Sequence, residues 1–312
     1  MQLTIKTLQG LEEVLAEELR SLGAQEVTTG LRLVSCSGDW DLVYRSNLEL
    51  RTALRVLIPV ATFMAYDEKS FYRMLRKTDW SQYLSAEGTL WIDTVVQSKR
   101  FRNSQFVARL AKDAIVDQFR EATGQRPSVV KEQPDLRLNV HIGKKGHTTI
   151  SLDSSGEGLH RRGYRKVGGA GSAPLNEVLA AGLLLLAGYK GEVPFADPMC
   201  GSGTIVCEAA LIATNRAPCL YRRFGFQRWP NFSAERWEQI KRASVEKEQA
   251  PLHPIIGSDR NPKAISTTRM ALESMHLQSF VELRQSNIQS FQPAPPLANQ
   301  EIGGQLVTNP PY

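Results

Sequence analysis

Three short segments in the second half of this 312-residue chain have the residue types and spacing that binding a nucleoside would need. The first runs from Asp197 to Thr204, reads Asp-Pro-Met-Cys-Gly-Ser-Gly-Thr, and lies between a predicted strand and a predicted helix. Gly201 and Gly203 would let the backbone pass close to a ligand, and the following helix would present free N–H groups. The Gly-Lys-Ser/Thr ending of a phosphate-binding loop is missing, so the segment predicts a loop for a different ligand.

The second segment is the end of the next predicted strand, at Asp259. A carboxylate in this place can accept hydrogen bonds from both hydroxyl groups of a ribose. Asp259 follows Asp197 at a much greater distance than the ~20 residues of a simple dinucleotide-binding unit, so residues 214–253 are predicted to be an insertion. Taken alone, Asp259 could equally cap the helix that begins at Asn261-Pro262. Its combination with the glycine-rich loop favours the ligand role.

The third segment is Asn309-Pro310-Pro311-Tyr312. The two prolines fix the backbone and provide no N–H donors, so the Asn309 side-chain oxygen and the Pro310 carbonyl become rigid acceptors. Such a pair can hold both hydrogens of a planar NH₂ group and aim its lone pair, while Tyr312 stacks on the attached ring. The pattern predicts a site for an exocyclic amine, and the alternative is a proline-stiffened turn.

Alternating strands and helices are predicted to position these three segments. Hydrophobic runs predict strands at 193–196, 255–257, 281–284 and 306–308. Helical periodicity predicts helices at 204–213 and 262–274, and a hydrophobic helix that begins at Pro174 and ends at Ala187. This alternation is typical of a doubly wound parallel sheet.

The first half of the chain mixes strands and helices in the α+β manner. The predicted strands cover residues 3–7, 31–36, 54–64, 89–96, 136–142 and 148–152, and the predicted helices cover 11–22, 40–50, 71–77 and 104–123. Six glycines between residues 156 and 171 mark the main domain boundary. This stretch could be a flexible linker or a loop that folds over a cofactor or an RNA phosphate.

Composition excludes several classes of protein. The four cysteines, Cys36, Cys200, Cys207 and Cys219, lack CxxC spacing, so no zinc site is expected. The sequence contains neither a basic-then-apolar leader nor a run of ~20 apolar residues, which predicts no membrane span and a cytoplasmic location. The net charge of +6 is a mild bias, so any nucleic-acid surface must come from clustered charges.

Two clusters are candidates for contact with RNA. Lys99, Arg100 and Arg102 surround Phe101 just before the long predicted helix, which continues with Arg109 and Lys112. Within the insertion, residues 221–229 interleave aromatic residues with Arg222, Arg223 and Arg228, which suits stacking combined with phosphate contact. The alternatives are a solvated face for the first cluster and aromatic packing of the insertion for the second.

The motifs together resemble a known family. Asp197–Thr204 followed by Asn309–Tyr312 resembles the Asn-Pro-Pro-Tyr type of Rossmann-like methyltransferases, which act on exocyclic amines of adenine or guanine. Residues 95–124 and 136–153 resemble a THUMP RNA-binding domain, and residues 158–165 with 173–177 are similar to the link between THUMP and catalytic domains. Nearly the whole chain is similar to the bacterial 23S ribosomal RNA guanine-N2 methyltransferase family (the RlmL type).

The resemblance implies a domain organisation. An α+β RNA-binding region would comprise a ferredoxin-like part at 1–42 and a THUMP domain at 43–153. A glycine-rich linker at 154–173 would lead to a Rossmann-like α/β methyltransferase domain at 174–312. The sheet of that domain should continue beyond Asn-Pro-Pro-Tyr, so the domain is expected to be incomplete at its C-terminus and this piece of the protein to be inactive alone.

The resemblance also implies roles for residues. S-adenosylmethionine would be the cofactor, with its methionine end held by Asp197, Met199, Cys200, Gly201, Ser202, Gly203 and Thr204. Asp259 would hold the ribose, and Asn287 would lie near the adenine, where the family often has an acidic residue. Asn309, Pro310, Pro311 and Tyr312 would be catalytic. The linker arginines Arg161, Arg162 and Arg165 would join the RNA-binding set.

The implied reaction is methylation of a guanine N2 in 23S ribosomal RNA, before or during assembly of the large subunit, with no metal and no membrane partner. Two alternatives stay open at this point. The chain could belong to an adenine-N6 nucleic-acid methyltransferase, since the terminal motif alone does not select the base. It could also act as an RNA-binding module with an incomplete catalytic domain.

Overall fold

The computed structural model describes residues 1–101, 103–165, 174–293 and 303–310, which form two sheets and the helices that cover them. Arg102, Pro311 and Tyr312 lie outside the described residues. The larger sheet has eight strands in the order β2-β3-β1-β4-β8-β7-β5-β6, and the smaller has four in the order β11-β10-β9-β12. This arrangement confirms an α+β N-terminal half followed by a Rossmann-like α/β domain.

The N-terminal half contains the eight strands of the larger sheet and four helices. The strands are β1 (Gln2–Lys6), β2 (Gln25–Gly30), β3 (Leu33–Ser37), β4 (Arg55–Met64), β5 (Thr89–Val96), β6 (Ser128–Val129), β7 (Leu136–Ile142) and β8 (His147–Asp153). The helices are α1 (Glu12–Ser21), α2 (Trp40–Glu49), α3 (Glu68–Leu75) and α4 (Ser104–Thr123).

Strand β4 joins the two parts of this half into one sheet. Its first residues, Arg55–Leu57, pair with β1, and the stretch from Leu57 to Met64 pairs with β8. The boundary predicted after residue 42 falls inside α2. The ferredoxin-like and THUMP parts therefore share a strand and a continuous core, and no linker separates them.

The second half contains α5 (Glu177–Leu186), β9 (Phe195–Asp197), α6 (Thr204–Ala213), α7 (Ala234–Val245), β10 (Ile255–Asp259), α8 (Pro262–Ser274), β11 (Val281–Gln285) and β12 (Gln305–Leu306). All pairs in its sheet are parallel. Helix α5 begins at Glu177 and not at Pro174, because the Asn176 side chain accepts hydrogen bonds from the N–H groups of Val178 and Leu179. The last predicted strand, 306–308, forms only at its first residue.

The insertion at 214–253 packs onto the N-terminal half. Its aromatic residues Phe224, Phe226, Trp229 and Trp237 belong to the same buried cluster as the core of the larger sheet, and α7 packs on α2. The described helices include none with the length and apolar character needed to cross a bilayer. The described residues also contain no group of three or more His, Cys, Asp or Glu side chains suited to a metal ion.

Candidate functional site

The ends of the four parallel strands bring the predicted segments to one edge of the smaller sheet. Asp197 ends β9, and its Cα lies opposite that of Gly257 in β10, two residues before Asp259. Asn287 follows β11 on one side, and Asn309 follows β12 on the other. In a parallel sheet this carboxyl edge is the usual position of ligand-binding loops.

The loop from Asp197 to Thr204 has a backbone that requires its glycines. Gly201 and Gly203 have φ angles of +53° and +79°, in the left-handed region. A Cβ atom on Gly203 would lie 2.4 Å from Cγ2 of Thr268, so only glycine fits against α8 at this point. The Thr268 hydroxyl donates a hydrogen bond to the Gly201 carbonyl (3.1 Å), which fastens the loop to α8.

Asp259 links this loop to the start of α8. One carboxylate oxygen accepts a hydrogen bond from the N–H of Gly201 (2.9 Å), and the other accepts one from the N–H of Asn261 (2.8 Å). Asn261 is itself the cap of α8, since its side chain accepts from the Lys263 N–H. The alternative role of Asp259 as helix cap thus belongs to Asn261. Each Asp259 oxygen keeps a further lone pair for a ligand.

Asp197 is an interior carboxyl group. Its side chain is 1% exposed, and one oxygen accepts a hydrogen bond from the Met199 N–H (3.1 Å). Burial raises the pKa of Asp197 to about 6. Cys200 packs in the buried core of the second half, and burial raises the pKa of its thiol to about 12. Met199, Gly201 and Ser202 are partly exposed and form the outer rim of the loop.

Asn309 and Pro310 lie exposed just after β12. The Val307 N–H donates to the Ala196 carbonyl (3.2 Å), which fixes this segment next to the end of β9 and the beginning of the glycine loop. Asn287 is exposed and begins the turn after β11, on the other side of Asp259. The role assigned to each of these residues stays a prediction.

The structure corrects the RNA-binding role predicted for Arg162. Its side chain is 0% exposed and lies between the two halves of the protein. The guanidinium group forms an ion pair with Glu208 (3.5 Å) and donates to the carbonyls of Leu159 (2.9 Å) and Arg51. A phosphate cannot reach this group.

Arg165, Arg222 and Arg228 are also engaged with the protein itself. Arg165 contacts Thr204 and Glu177, Arg222 donates to the carbonyls of Gly158 (2.8 Å) and Glu157 (2.9 Å), and Arg228 donates to that of Pro134 (2.9 Å). Because the neighbouring aromatics are core residues, residues 221–229 are an anchor for the insertion. The predicted stacking surface there is wrong, with only Tyr221 and Arg223 exposed among its aromatic and basic members.

The basic cluster at the end of β5 remains accessible. Lys99 and Arg100 are exposed, and the Arg100 guanidinium lies 5.7 Å from the ring centre of Tyr66, which is 61% exposed. The turn between β7 and β8 adds exposed Lys144 and Lys145, which were not among the predicted RNA-binding residues. The sequence feature that could have identified them is the pair of lysines in the four-residue turn Gly143–Gly146.

The other basic residues differ in their surroundings. Arg109 and Arg223 are exposed, whereas Lys112 is half-buried and pairs with Asp113. Arg161 forms a surface ion pair with Glu157 (3.3 Å).

Comparison with known families assigns three consecutive regions. Residues 2–57 match the RlmL ferredoxin-like domain, residues 65–153 the THUMP domain, and residues 162–312 the RMKL-like methyltransferase domain. The ferredoxin-like match extends into β4, in accord with the shared strand.

Curated relatives match almost all of the chain. A "Ribosomal RNA large subunit methyltransferase K/L" from Syntrophotalea carbinolica is 42% identical over 97% of the chain and 43% of its own length. A Synechocystis sp. protein named "Putative RNA methyltransferase slr0064" is 40% identical over 97% of the chain and 77% of its own length. The chain thus spans less than half the length of the K/L relative.

Solved structures with the same fold cover the entire chain. A predicted N6-adenine-specific DNA methylase from Listeria monocytogenes has a TM-score of 0.87 and 29% identity, and the match covers 100% of this chain and 80% of that one. The structure of "SMU.472, a putative methyltransferase complexed with SAH" has a TM-score of 0.86 and 27% identity with the same coverage. The domain order, the glycine loop and these relatives together show that the chain belongs to the family of THUMP-domain methyltransferases of the RlmL type.

Proposed function

We propose that this chain provides the RNA-binding and cofactor-binding parts of an S-adenosylmethionine-dependent enzyme that methylates the exocyclic N2 of a guanine in 23S ribosomal RNA. The observation that carries the proposal is the convergence of the glycine loop, Asp259 and Asn309 at one sheet edge. The names of the K/L relatives supply the ribosomal RNA of the large subunit. This substrate implies a cytoplasmic enzyme.

The residues at the sheet edge fit a nucleoside cofactor with an amino-acid tail. Asp259 would hold the ribose with the lone pairs that Gly201 and Asn261 leave free. The loop from Asp197 to Thr204 would hold the methionine portion, because its glycine backbone allows close approach at the start of α6. SMU.472 was solved with SAH, which supports the same ligand class here. When bound, S-adenosylmethionine supplies a methyl group activated by the sulfonium.

The acceptors after β12 would position the substrate. The Asn309 side-chain oxygen and the Pro310 carbonyl can accept both hydrogens of an exocyclic amine, so the nitrogen lone pair is directed toward the methyl group. Positioning of this kind supplies most of the catalysis. The target base must leave its stack to reach the edge of the sheet.

The RNA would be held mainly by the N-terminal half. Lys99, Arg100, Lys144 and Lys145 form an exposed basic cluster at one end of β5 and the β7–β8 turn, and Tyr66 offers an aromatic face beside it. The Ala65 N–H donates to the Gly146 carbonyl (2.9 Å), which holds the Tyr66 segment against that turn. Such a cluster suits phosphate contact combined with base stacking.

The test is methyl transfer by the complete gene product. Large-subunit ribosomal RNA would be incubated with labelled S-adenosylmethionine and digested to nucleosides, with Asn309→Ala as the matched control. We expect label in N2-methylguanosine. Label in N6-methyladenosine would favour the adenine-N6 alternative, which is the base specificity given for the Listeria structure. If the protein binds RNA but transfers no methyl group, the alternative of a non-catalytic RNA-binding module would be favoured.

A further inference from the structure

Arg165 connects the link between the two halves to the first residue of α6. One guanidinium nitrogen donates hydrogen bonds to the Thr204 hydroxyl and to the Leu175 carbonyl (2.8 Å). The other terminal nitrogen forms an ion pair with Glu177 (3.0 Å), at the start of α5. Because Arg165 bridges three segments, it fixes the position at which the glycine loop becomes a helix.

The start of α6 needs an external contact of this kind. Its cap residue is Gly203, which has no side chain, and no side-chain cap is present among the described residues. A serine or aspartate cap would normally hold the first turn. Because only glycine fits at position 203, the first turn of α6 has no side-chain cap within the described part of the chain. The contact between Arg165 and the Thr204 hydroxyl therefore stabilises the start of this helix.

The charge of Arg165 points to a role beyond stability. Helix N-termini carry partial positive charge, so a guanidinium at this end of α6 is electrostatically unfavourable. Glu177 offsets part of the repulsion, and burial raises the pKa of that carboxyl group. Arg165 thus adds a positive charge where the free N–H groups of α6 begin, and both suit the carboxylate of an amino-acid ligand.

The neighbours of Arg165 hold it rigidly on α6. Tyr164 is buried and its hydroxyl donates to Glu208 of α6 (3.1 Å). Arg162 also pairs with Glu208 (3.5 Å), and both its side chain and that of Glu208 are fully buried. The backbone before Arg165 is thus fastened to the same helix whose start Arg165 contacts.

We propose that Arg165 is a positioning residue for the methionine portion of the cofactor site, acting through Thr204 and the glycine loop. The inference rests on the proposed function, because it assumes S-adenosylmethionine as cofactor. The nucleoside portion is assigned to Asp259, whose two hydrogen bonds go to Gly201 and Asn261. Loss of Arg165 should therefore weaken binding of the methionine portion and leave binding of the nucleoside portion unchanged.

The experiment compares two ligands by calorimetry on the full chain. S-adenosylhomocysteine contains the amino-acid portion, and methylthioadenosine lacks its carboxylate and amine. In Arg165→Ala we expect the Kd for S-adenosylhomocysteine to rise about tenfold, the size of one missing charge-assisted hydrogen bond. The Kd for methylthioadenosine should stay within about twofold. Arg161→Ala is the matched control, since Arg161 lies on the surface and pairs with Glu157.

A second variant covers the case in which Arg165→Ala fails to fold, as judged by its melting temperature. Thr204→Val removes the hydroxyl acceptor and leaves the Arg165–Glu177 pair in place. Thr204→Val should also weaken binding of S-adenosylhomocysteine and leave binding of methylthioadenosine unchanged. In the double variant, the affinity for S-adenosylhomocysteine should fall no further than in the more affected single variant. Equal weakening of both ligands, or of neither, would overturn the positioning role. A wild-type chain that binds neither ligand would overturn the proposed function itself.

Discussion

At the scale of single residues, Asp197 is a carboxyl group in an environment that disfavours its charge. Its pKa of about 6 in the folded chain exceeds the usual 3.8 because the side chain is buried. Between those pH values the folded state binds more protons than the unfolded state, so stability should fall as pH rises from about 4 to about 6.

Asp197→Asn removes this effect. We expect the variant to be more stable than the wild type at pH 7 by about 1–3 kcal/mol, and the two to converge near pH 4. Urea unfolding of the ligand-free protein across this range measures the difference. Parallel pH dependences in the two proteins would show that Asp197 is not the group responsible.

Asp259 is the residue proposed to hold the nucleoside portion of the cofactor. Asp259→Ala should weaken S-adenosylhomocysteine and methylthioadenosine to a similar degree, by about 1.5–3 kcal/mol, because a charged acceptor is removed. The folded state should survive, with a lower melting temperature because the hydrogen bonds from Gly201 and Asn261 are absent. Calorimetry measures both affinities, and unchanged values would show that Asp259 does not hold the ribose.

The catalytic role proposed for Asn309 can be tested by measuring cofactor binding and methyl transfer separately. In the complete gene product, Asn309→Ala should reduce single-turnover methyl transfer by on the order of 10²-fold or more, because the amine loses one of its two acceptors. Cofactor affinity should be nearly unchanged, since Asn309 lies after β12, outside the glycine loop. Wild-type turnover in this variant would make Asn309 a turn residue.

The positions of the proposed cofactor residues agreed with the sequence analysis more closely than did the exposure of the proposed RNA-binding arginines. Gly201, Gly203 and Asp259 lie together at one sheet edge as predicted, because strand ends and glycine spacing restrict where such a loop can form. Arg162 and Arg222 were misassigned because an arginine in a basic-aromatic run looks the same whether it faces solvent or carbonyl groups. That distinction depends on contacts between residues distant in sequence, such as Arg162 with Glu208.

At the scale of secondary structure, the insertion is the element with the largest predicted effect. Phe226 is buried against Tyr44 and Trp237, with ring centres 4.7 and 5.3 Å away. Phe226→Ala should destabilise the protein by about 3–5 kcal/mol, through reduced burial and a residual cavity. Tyr221→Ala is the control, because Tyr221 is 55% exposed. Denaturant unfolding compares them, and similar losses in both would contradict the anchoring role.

Elements with strong hydrophobic periodicity were predicted within a few residues. The 104–123 helix agrees with α4, whose ends are set by the Asn103 cap and by Gly124 in the left-handed conformation. Strand β2 was missed because it is an edge strand, and its residues are exposed or half-buried, with no alternation to detect. The packing of the insertion on α2 was also out of reach, since it depends on tertiary contacts.

At the scale of the whole molecule, the exposed basic residues proposed to bind RNA are concentrated at one end of the THUMP part. Replacing Lys99, Arg100, Lys144 and Lys145 with alanine should weaken RNA binding. The slope of log K against log salt concentration should become shallower by about 0.7–0.9 for each phosphate that is no longer neutralised. Filter binding between about 50 and 200 mM salt measures the slope. The control replaces four exposed basic residues outside the predicted RNA-binding set with alanine, namely Arg20, Arg126, Lys190 and Arg242. An unchanged slope in the fourfold variant would place the RNA on another face.

On a translating ribosome, the N-terminal half leaves the exit tunnel before the residues that complete its core. Residues 1–153 hold all eight strands of the larger sheet, yet Phe224, Phe226, Trp237 and Ile240 pack into the same cluster. At about 5–20 residues per second, synthesis needs several more seconds after residue 165 to reach residue 240. During this interval the surface around Tyr44 is open to chaperones and proteases. A truncated chain that ends between the two halves would leave this surface permanently exposed.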